Sequence, residues 1–286
     1  MRVFYELRVR EKSASLVFAP DEGKLLSGQT IRKVMISSDD PRIPKIKTLQ
    51  KELTGRNEPP LFFGWSIHFK YAKREFEEAD LFYLIFESFF EPAGEECGTI
   101  YDETVACPVC GGGRKQVGPL LLKSSKIPKR KLVARTIASE LIFSAELVEA
   151  LEDAKVSGID FSPVLDSKGK NKLTWYQPMI TSSPISLKPP TLIGHGLFFD
   201  DPAYDKRCPV GIENHVLGCN LLSEVFVNGK EWDGSDFVRT KELIGYRSGL
   251  LVPYPLIFVS QKVRRVLDSV QGRGYSLEIV RFANGS

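Results

Sequence analysis

Long apolar runs are missing from this chain of 286 residues. No stretch approaches the ~18 uninterrupted apolar residues that a membrane-crossing helix needs. The richest one, Leu81 to Phe90 (LFYLIFESFF), is short, aromatic and broken by Glu87, and suits a buried strand or helix. The opening MRVFYELRVREK carries charges inside its apolar positions, unlike a signal peptide. The expectation is a cytoplasmic protein with no membrane partner. A large charge imbalance is missing too. The net charge of +3 is too small to argue for nucleic acid by itself. The basic stretch Lys123 to Arg135 (KSSKIPKRKLVAR) reads as a solvated loop ahead of a phosphate-binding patch. GxGxxG, P-loop, GxSxG and HExxH patterns are all absent, which removes the usual sequence grounds for nucleotide, hydrolase or metalloprotease chemistry. His195, between Gly194 and Gly196, has no acid or nucleophile tied to it in sequence. Asp200, Asp201 and Asp205 match no calcium loop.

Cysteine is also scarce. Five in a chain this long do not make a disulfide scaffold. Three of them nevertheless crowd into Cys97 to Gly113 (CGTIYDETVACPVCGGG). Cys107 and Cys110 have the two-residue gap that lets two thiolates reach one tetrahedral ion. A redox CxxC opens a helix, which lowers a thiol pKa; here Gly111, Gly112 and Gly113 follow, a poor helix start, so metal is the expected use. Cys97 is the natural third ligand, across a loop that could form a hairpin. Cys208, in the turn-like Arg207-Cys208-Pro209-Val210-Gly211, is the expected fourth. Cys219 has apolar neighbours and reads as a core residue, with His195 and His215 as fallback ligands. Four protein ligands leave no open position, which makes the expected zinc structural.

The rest is a mixture of strand and helix signals. Val3, Tyr5, Leu7 and Val9 alternate with polar residues, the period of a half-buried strand. Ile31 to Ile36 and Leu61 to Phe69 have strand character. Pro44 opens a helix over Ile46, Leu49 and Leu53 that Gly55 ends, and Lys73 to Asp80 reads as a short exposed helix. Lys172 to Ile180 is strand-like, with Pro178 favouring its end or an edge. Asn228-Gly229 after Leu221 to Val227 signals a hairpin.

One unit occurs twice. Leu141 to Phe143 is a strand, Ser144 caps a helix with Leu147, Val148 and Leu151 inside, Gly158 ends the turn, and Ile159 to Val164 is a strand. Ile257 to Val259, Ser260, Leu267, Gly274 and Tyr275 to Val280 follow the same order. The spacing is constant: 260 − 144, 267 − 151, 274 − 158 and 280 − 164 all give 116. Either the chain contains a duplication or this is the generic look of any strand–helix–strand unit.

Glu95-Glu96-Cys97-Gly98 and Cys107-Pro108-Val109-Cys110-Gly111 look like two CxxCG motifs, the first degenerate because Gly94 stands where its leading cysteine would be. With the pattern from Ser144 to Val164, this stretch resembles the double-CXXCG motif family of bacterial proteins. That family is related to immunity-protein-like families of polymorphic toxin systems. The resemblance implies a cytoplasmic α+β protein with a structural zinc knuckle and a protein partner such as a cognate toxin. Nucleic acid is the alternative partner, and an enzyme built around His195 and the nearby acids is a third reading.

The expected fold is therefore α+β: mixed sheets covered by few helices, two similar strand–helix–strand units, and a zinc-knuckle insertion. The expected parts are 1–120, including the knuckle at 94–113, and 121–286, with the repeated units at 141–164 and 257–280.

Overall fold

The protein is described from a computed structural model, which covers residues 1–26, 28, 30–194, 208–210, 214–216 and 220–283. It is an α+β protein of mixed sheets and few helices. No helix among the described residues is long and apolar enough to cross a membrane. His195, Asp200, Asp201, Asp205 and Cys219 lie outside the described residues.

The compact units divide after Glu78 rather than near residue 120. The first unit runs β1 (Arg2–Arg10), α1 (Glu11–Ala14), β2 (Lys24–Leu25), β3 (Ile31–Ser37), α2 (Ile43–Gly55), β4 (Phe62–Lys70) and α3 (Lys73–Glu78). Its antiparallel sheet has the order β2-β3-β1-β4. The strands alternate as their sequences do. Leu7, Val9, Val34 and Ile36 face Ala14 of α1 and Ile46 and Leu53 of α2 in one core. Pro44 sits in the first turn of α2, where its missing N–H costs nothing.

The second unit holds two runs of elements. The first run is β5 (Leu81–Phe86), β6 (Phe89–Phe90), β7 (Ile100–Asp102), β8 (Lys115–Val117), β9 (Leu121–Leu122), β10 (Val133–Thr136), β11 (Leu141–Ser144), α4 (Ala145–Asp153) and β12 (Ile159–Asp166). The second is β13 (Lys172–Ile180), β14 (Ile193–Gly194), β15 (His215–Val216), β16 (Asn220–Leu221), β17 (Val225–Val227), β18 (Phe237–Ile244), β19 (Tyr254–Ser260), α5 (Gln261–Ser269) and β20 (Tyr275–Phe282).

These runs build two six-stranded sheets, β6-β10-β11-β13-β12-β9 and β15-β18-β19-β5-β20-β17. Position by position, the strand directions agree. The register agrees as well. Ile159 pairs with Ile180 as Tyr275 pairs with Phe86, and Pro163 with Tyr176 as Ile279 with Phe82. Val133 pairs with Phe143 as Phe237 with Val259, and Leu165 with Leu121 as Arg281 with Phe226. The two runs are structural repeats that have exchanged their central strands. β5 heads the first repeat and lies in the sheet of the second; β13 heads the second and lies in the sheet of the first.

In each repeat the serine expected as a cap is one. The Ser144 hydroxyl accepts from the Leu147 N–H, and that of Ser260 from the Lys262 and Val263 N–H groups. Leu147, Val148 and Leu151 on α4 and Val263 and Leu267 on α5 are buried. Phe143 lies between Phe86 and Phe237, so rings from both repeats share one core. Pro178 sits in a central strand, but the β11 ladder on that side covers only Trp175 and Tyr176, so no bond there needs the N–H that proline lacks.

Asn228-Gly229 is not a hairpin turn. β17 pairs with β20 and β18 with β19, so the strands on either side of the dipeptide never meet. Asn228 instead caps the short 3-10 turn Gly229–Glu231 with its side chain, and Gly229 packs against the Phe282 ring, where a Cβ would come within 2.9 Å.

Candidate metal centre

β7 and β8 pair antiparallel, and the loop between them carries Cys107 and Cys110. β14 and β16 also pair antiparallel, and the chain between them carries Cys208 and His215. Each repeat thus offers two ligand side chains from between a pair of short strands. The four come together: Cys107, Cys110, Cys208 and His215 are all buried, and their ligand atoms lie within 4.8 Å of one another. Cys107 Sγ is 3.5 Å from Cys208 Sγ, and Cys110 Sγ is 3.2 Å from His215 Nδ1. A tetrahedral ion bound at about 2.3 Å to sulfur and 2.0 Å to nitrogen spaces its ligands by about 3.5–3.8 Å. The cluster is therefore of a size that could hold a metal.

The backbone prepares this arrangement. The Cys107 N–H donates to the Gly112 carbonyl and the Gly111 N–H to the Cys107 carbonyl, both at 2.8 Å, closing a tight loop. Gly111 has φ +70°, and its α-carbon faces the Arg247 side chain. At Gly112 a Cβ would stand 3.2 Å from the His215 ring, so the glycine lets the histidine approach. On the other side, the Cys208 N–H donates to the His215 carbonyl, and His215 pairs in parallel with Leu243 of β18.

Burial resists a thiolate at Cys107. The Cys110 and Val109 N–H groups and His215 oppose it and bring the thiol down to about 6. Burial and the neighbouring Cys107 push Cys110 up to about 12. The site therefore favours a first negative charge and resists a second, a conflict that a cation among the sulfurs would remove.

Cys97 is not in the cluster. It is buried in a 3-10 turn (Glu95–Cys97), and burial pushes its thiol up. Position 94, where a CxxC pair would place the partner thiol, has no room for a side chain. A Cβ there would be 2.6 Å from Leu120 and 2.8 Å from both Glu140 and Thr99. Its N–H is bound to the Glu140 carboxylate. His215, a fallback ligand on sequence grounds, occupies the place expected of Cys97. The signal for Cys208 was in the sequence: Cys208-Pro209-Val210 repeats Cys107-Pro108-Val109. In both copies the valine is exposed.

The knuckle is also tied down by charge. Glu103 accepts from Arg114 at 3.4 Å and from Arg247, on the loop after β18, at 3.0 Å. Arg114 stacks on the Tyr101 ring at 4.0 Å and donates to Glu95. Beside it lies a cavity of about 430 Å³ lined by Tyr101, Arg114, Glu140, Met179, Arg239 and Tyr254, among others. Its buried acid is committed to structure. Glu140 accepts from the Gly94 N–H, the Tyr101 hydroxyl and the Thr136 hydroxyl. Burial and the Glu140 charge hold the Tyr101 hydroxyl protonated far above the usual range.

No protein-family model matches the chain, and no curated protein does. The class of protein therefore rests on the fold and the site: an α+β protein of two strand-exchanged repeats joined at a buried Cys/His cluster.

Proposed function

We propose that this chain is a non-enzymatic binding protein whose two repeats are clamped together by one structural zinc ion. The observation that carries this reading is the closed ligand set. Three thiols and one imidazole, all buried, fill four tetrahedral positions and leave none for water or substrate. Two ligands come from each repeat, so the ion would stabilise the junction of the repeats much as a long-range cross-link does. The cavity beside the site supports a binding role over catalysis, because its carboxylate and tyrosine are spent on each other and on the backbone.

The partner on this reading is a protein, as the CxxCG resemblance implies, and the activity is that of an immunity-type inhibitor covering a toxin's working surface. Affinity capture from the source cells, followed by reconstitution from the two purified chains, tests it. A stoichiometric complex that survives salt and is lost after zinc chelation is the expected result. A zinc-loaded chain that retains no protein would contradict the reading.

A further inference from the structure

The sheet of residues 1–78 has a second face. Val3, Tyr5, Leu7 and Val9 point into the helical core, so Arg2, Phe4, Glu6, Arg8 and Arg10 point the other way. The pairing register puts Lys24, Lys33, Met35, Ser66, His68 and Lys70 on the same side. Its charges are arranged at a cost. Lys24 is directly opposite Lys33, and Lys33 directly opposite Arg8, a row of three cations across three neighbouring strands. Arg2 is directly opposite Lys70. Like charges facing each other across a ladder destabilise a sheet. The acid among these residues, Glu6, is only 6% exposed and lies under Lys33 and His68, with the Arg8 guanidinium at 4.0 Å.

Two aromatic rings accompany the cations. Lys70 Nζ lies 4.8 Å from the Phe4 ring, and the Arg10 guanidinium 5.9 Å from that of Phe63, which is 47% exposed. The excess charge belongs to this unit. Residues 1–78 contain 15 Lys and Arg against 11 Asp and Glu, an excess of four in a chain whose total is +3.

We infer that this face binds single-stranded nucleic acid, with Arg2, Arg8, Lys24 and Lys70 on backbone phosphates and Phe4 and Phe63 stacked on bases. A polyanion relieves the repulsion built into the sheet. Rings set among cations on an open sheet suit unpaired bases, whose faces a duplex hides. The inference concerns residues 1–78 and does not depend on the zinc clamp or its protein partner.

The test is fluorescence anisotropy of the full chain with a labelled oligothymidylate of about 15 nucleotides, at about 50 and 200 mM salt. Binding should weaken steeply with salt. Arg8→Ser with Lys24→Ser, and separately Arg2→Ser with Lys70→Ser, should each weaken it at least about tenfold and flatten the salt slope. Both pairs leave Lys33 on Glu6, and thermal unfolding should show no loss of stability. Phe4→Ala should weaken binding about tenfold with the slope unchanged. Lys129→Ser with Arg130→Ser, in the other unit, should change nothing. No binding at 50 mM salt would overturn the inference. So would tighter binding to a duplex of equal length or to phosphatidylserine vesicles, or an equal loss in the Lys129/Arg130 control.

Discussion

The α-carbon of Gly158 lies against the carbonyl of Phe237, so close that a Cβ would come within 2.4 Å of the oxygen. The equivalent glycine makes the equivalent contact in the other direction: at Gly274 a Cβ would stand 2.5 Å from the Val133 carbonyl. Each repeat thus turns out of its helix directly onto a strand of the other, Gly158 onto β18 and Gly274 onto β10. Both glycines have positive φ, +79° and +107°. Gly158→Ala and Gly274→Ala should each lower unfolding stability by about 2–4 kcal/mol, from the backbone conformation and the clash together. Urea denaturation of the two variants checks this. A loss below about 0.5 kcal/mol in either would show that the contact is not tight.

The caps differ in what depends on them. Ser144→Ala removes one helix cap and should cost about 1 kcal/mol. The Ser260 hydroxyl also donates at 2.6 Å to Asp236, a buried carboxylate that Ser157 and Lys262 hold as well. Ser260→Ala should therefore cost more, about 2 kcal/mol, because a buried acceptor loses a donor. Denaturation midpoints of the two variants, measured side by side, give the order.

Stability should fall as pH rises through the weakly acidic range because of Glu278. Burial, and then the charge of Glu224, push its carboxyl up to about 7 from 4.5. Between those values the folded chain keeps a proton that the unfolded chain has released, so raising the pH favours unfolding. Glu278→Gln should flatten this slope and leave the variant more stable than the parent above pH 7. Urea midpoints from pH 4 to 8 show whether it does.

Local features of the fold were legible in the sequence because their causes are local. Ser144 and Ser260 are caps, Gly158 and Gly274 are tight turns, and the alternation of Val3 to Val9 is a strand, each decided within a few residues. The constant spacing of 116 was the trace of a repeat whose ladders match in register. The exchange of β5 and β13 was not legible. β5 pairs with β19 and β20, far along the chain, and nothing in Leu81–Phe86 says which sheet it completes; β13 pairs with its own neighbours β12 and β11, so its place at the head of the second repeat leaves no local sign. The Asn228-Gly229 signal failed for the same reason, since its flanking strands have other partners. At the metal centre Cys107, Cys110 and Cys208 were readable from spacing and turn chemistry. His215 in place of Cys97 was not, because it depends on β15 joining the edge of β18 and on the absence of space at Gly94.

Zinc content tests the clamp most directly. Elemental analysis of the purified chain should give one zinc per molecule. Cys107→Ser and Cys208→Ser, one from each repeat, should each reduce this at least about tenfold, and His215→Ala should do the same, since a three-ligand site binds far more weakly. Cys97→Ser should keep a full equivalent. A parent chain without metal, or a Cys97→Ser variant that loses zinc as Cys208→Ser does, would contradict the account.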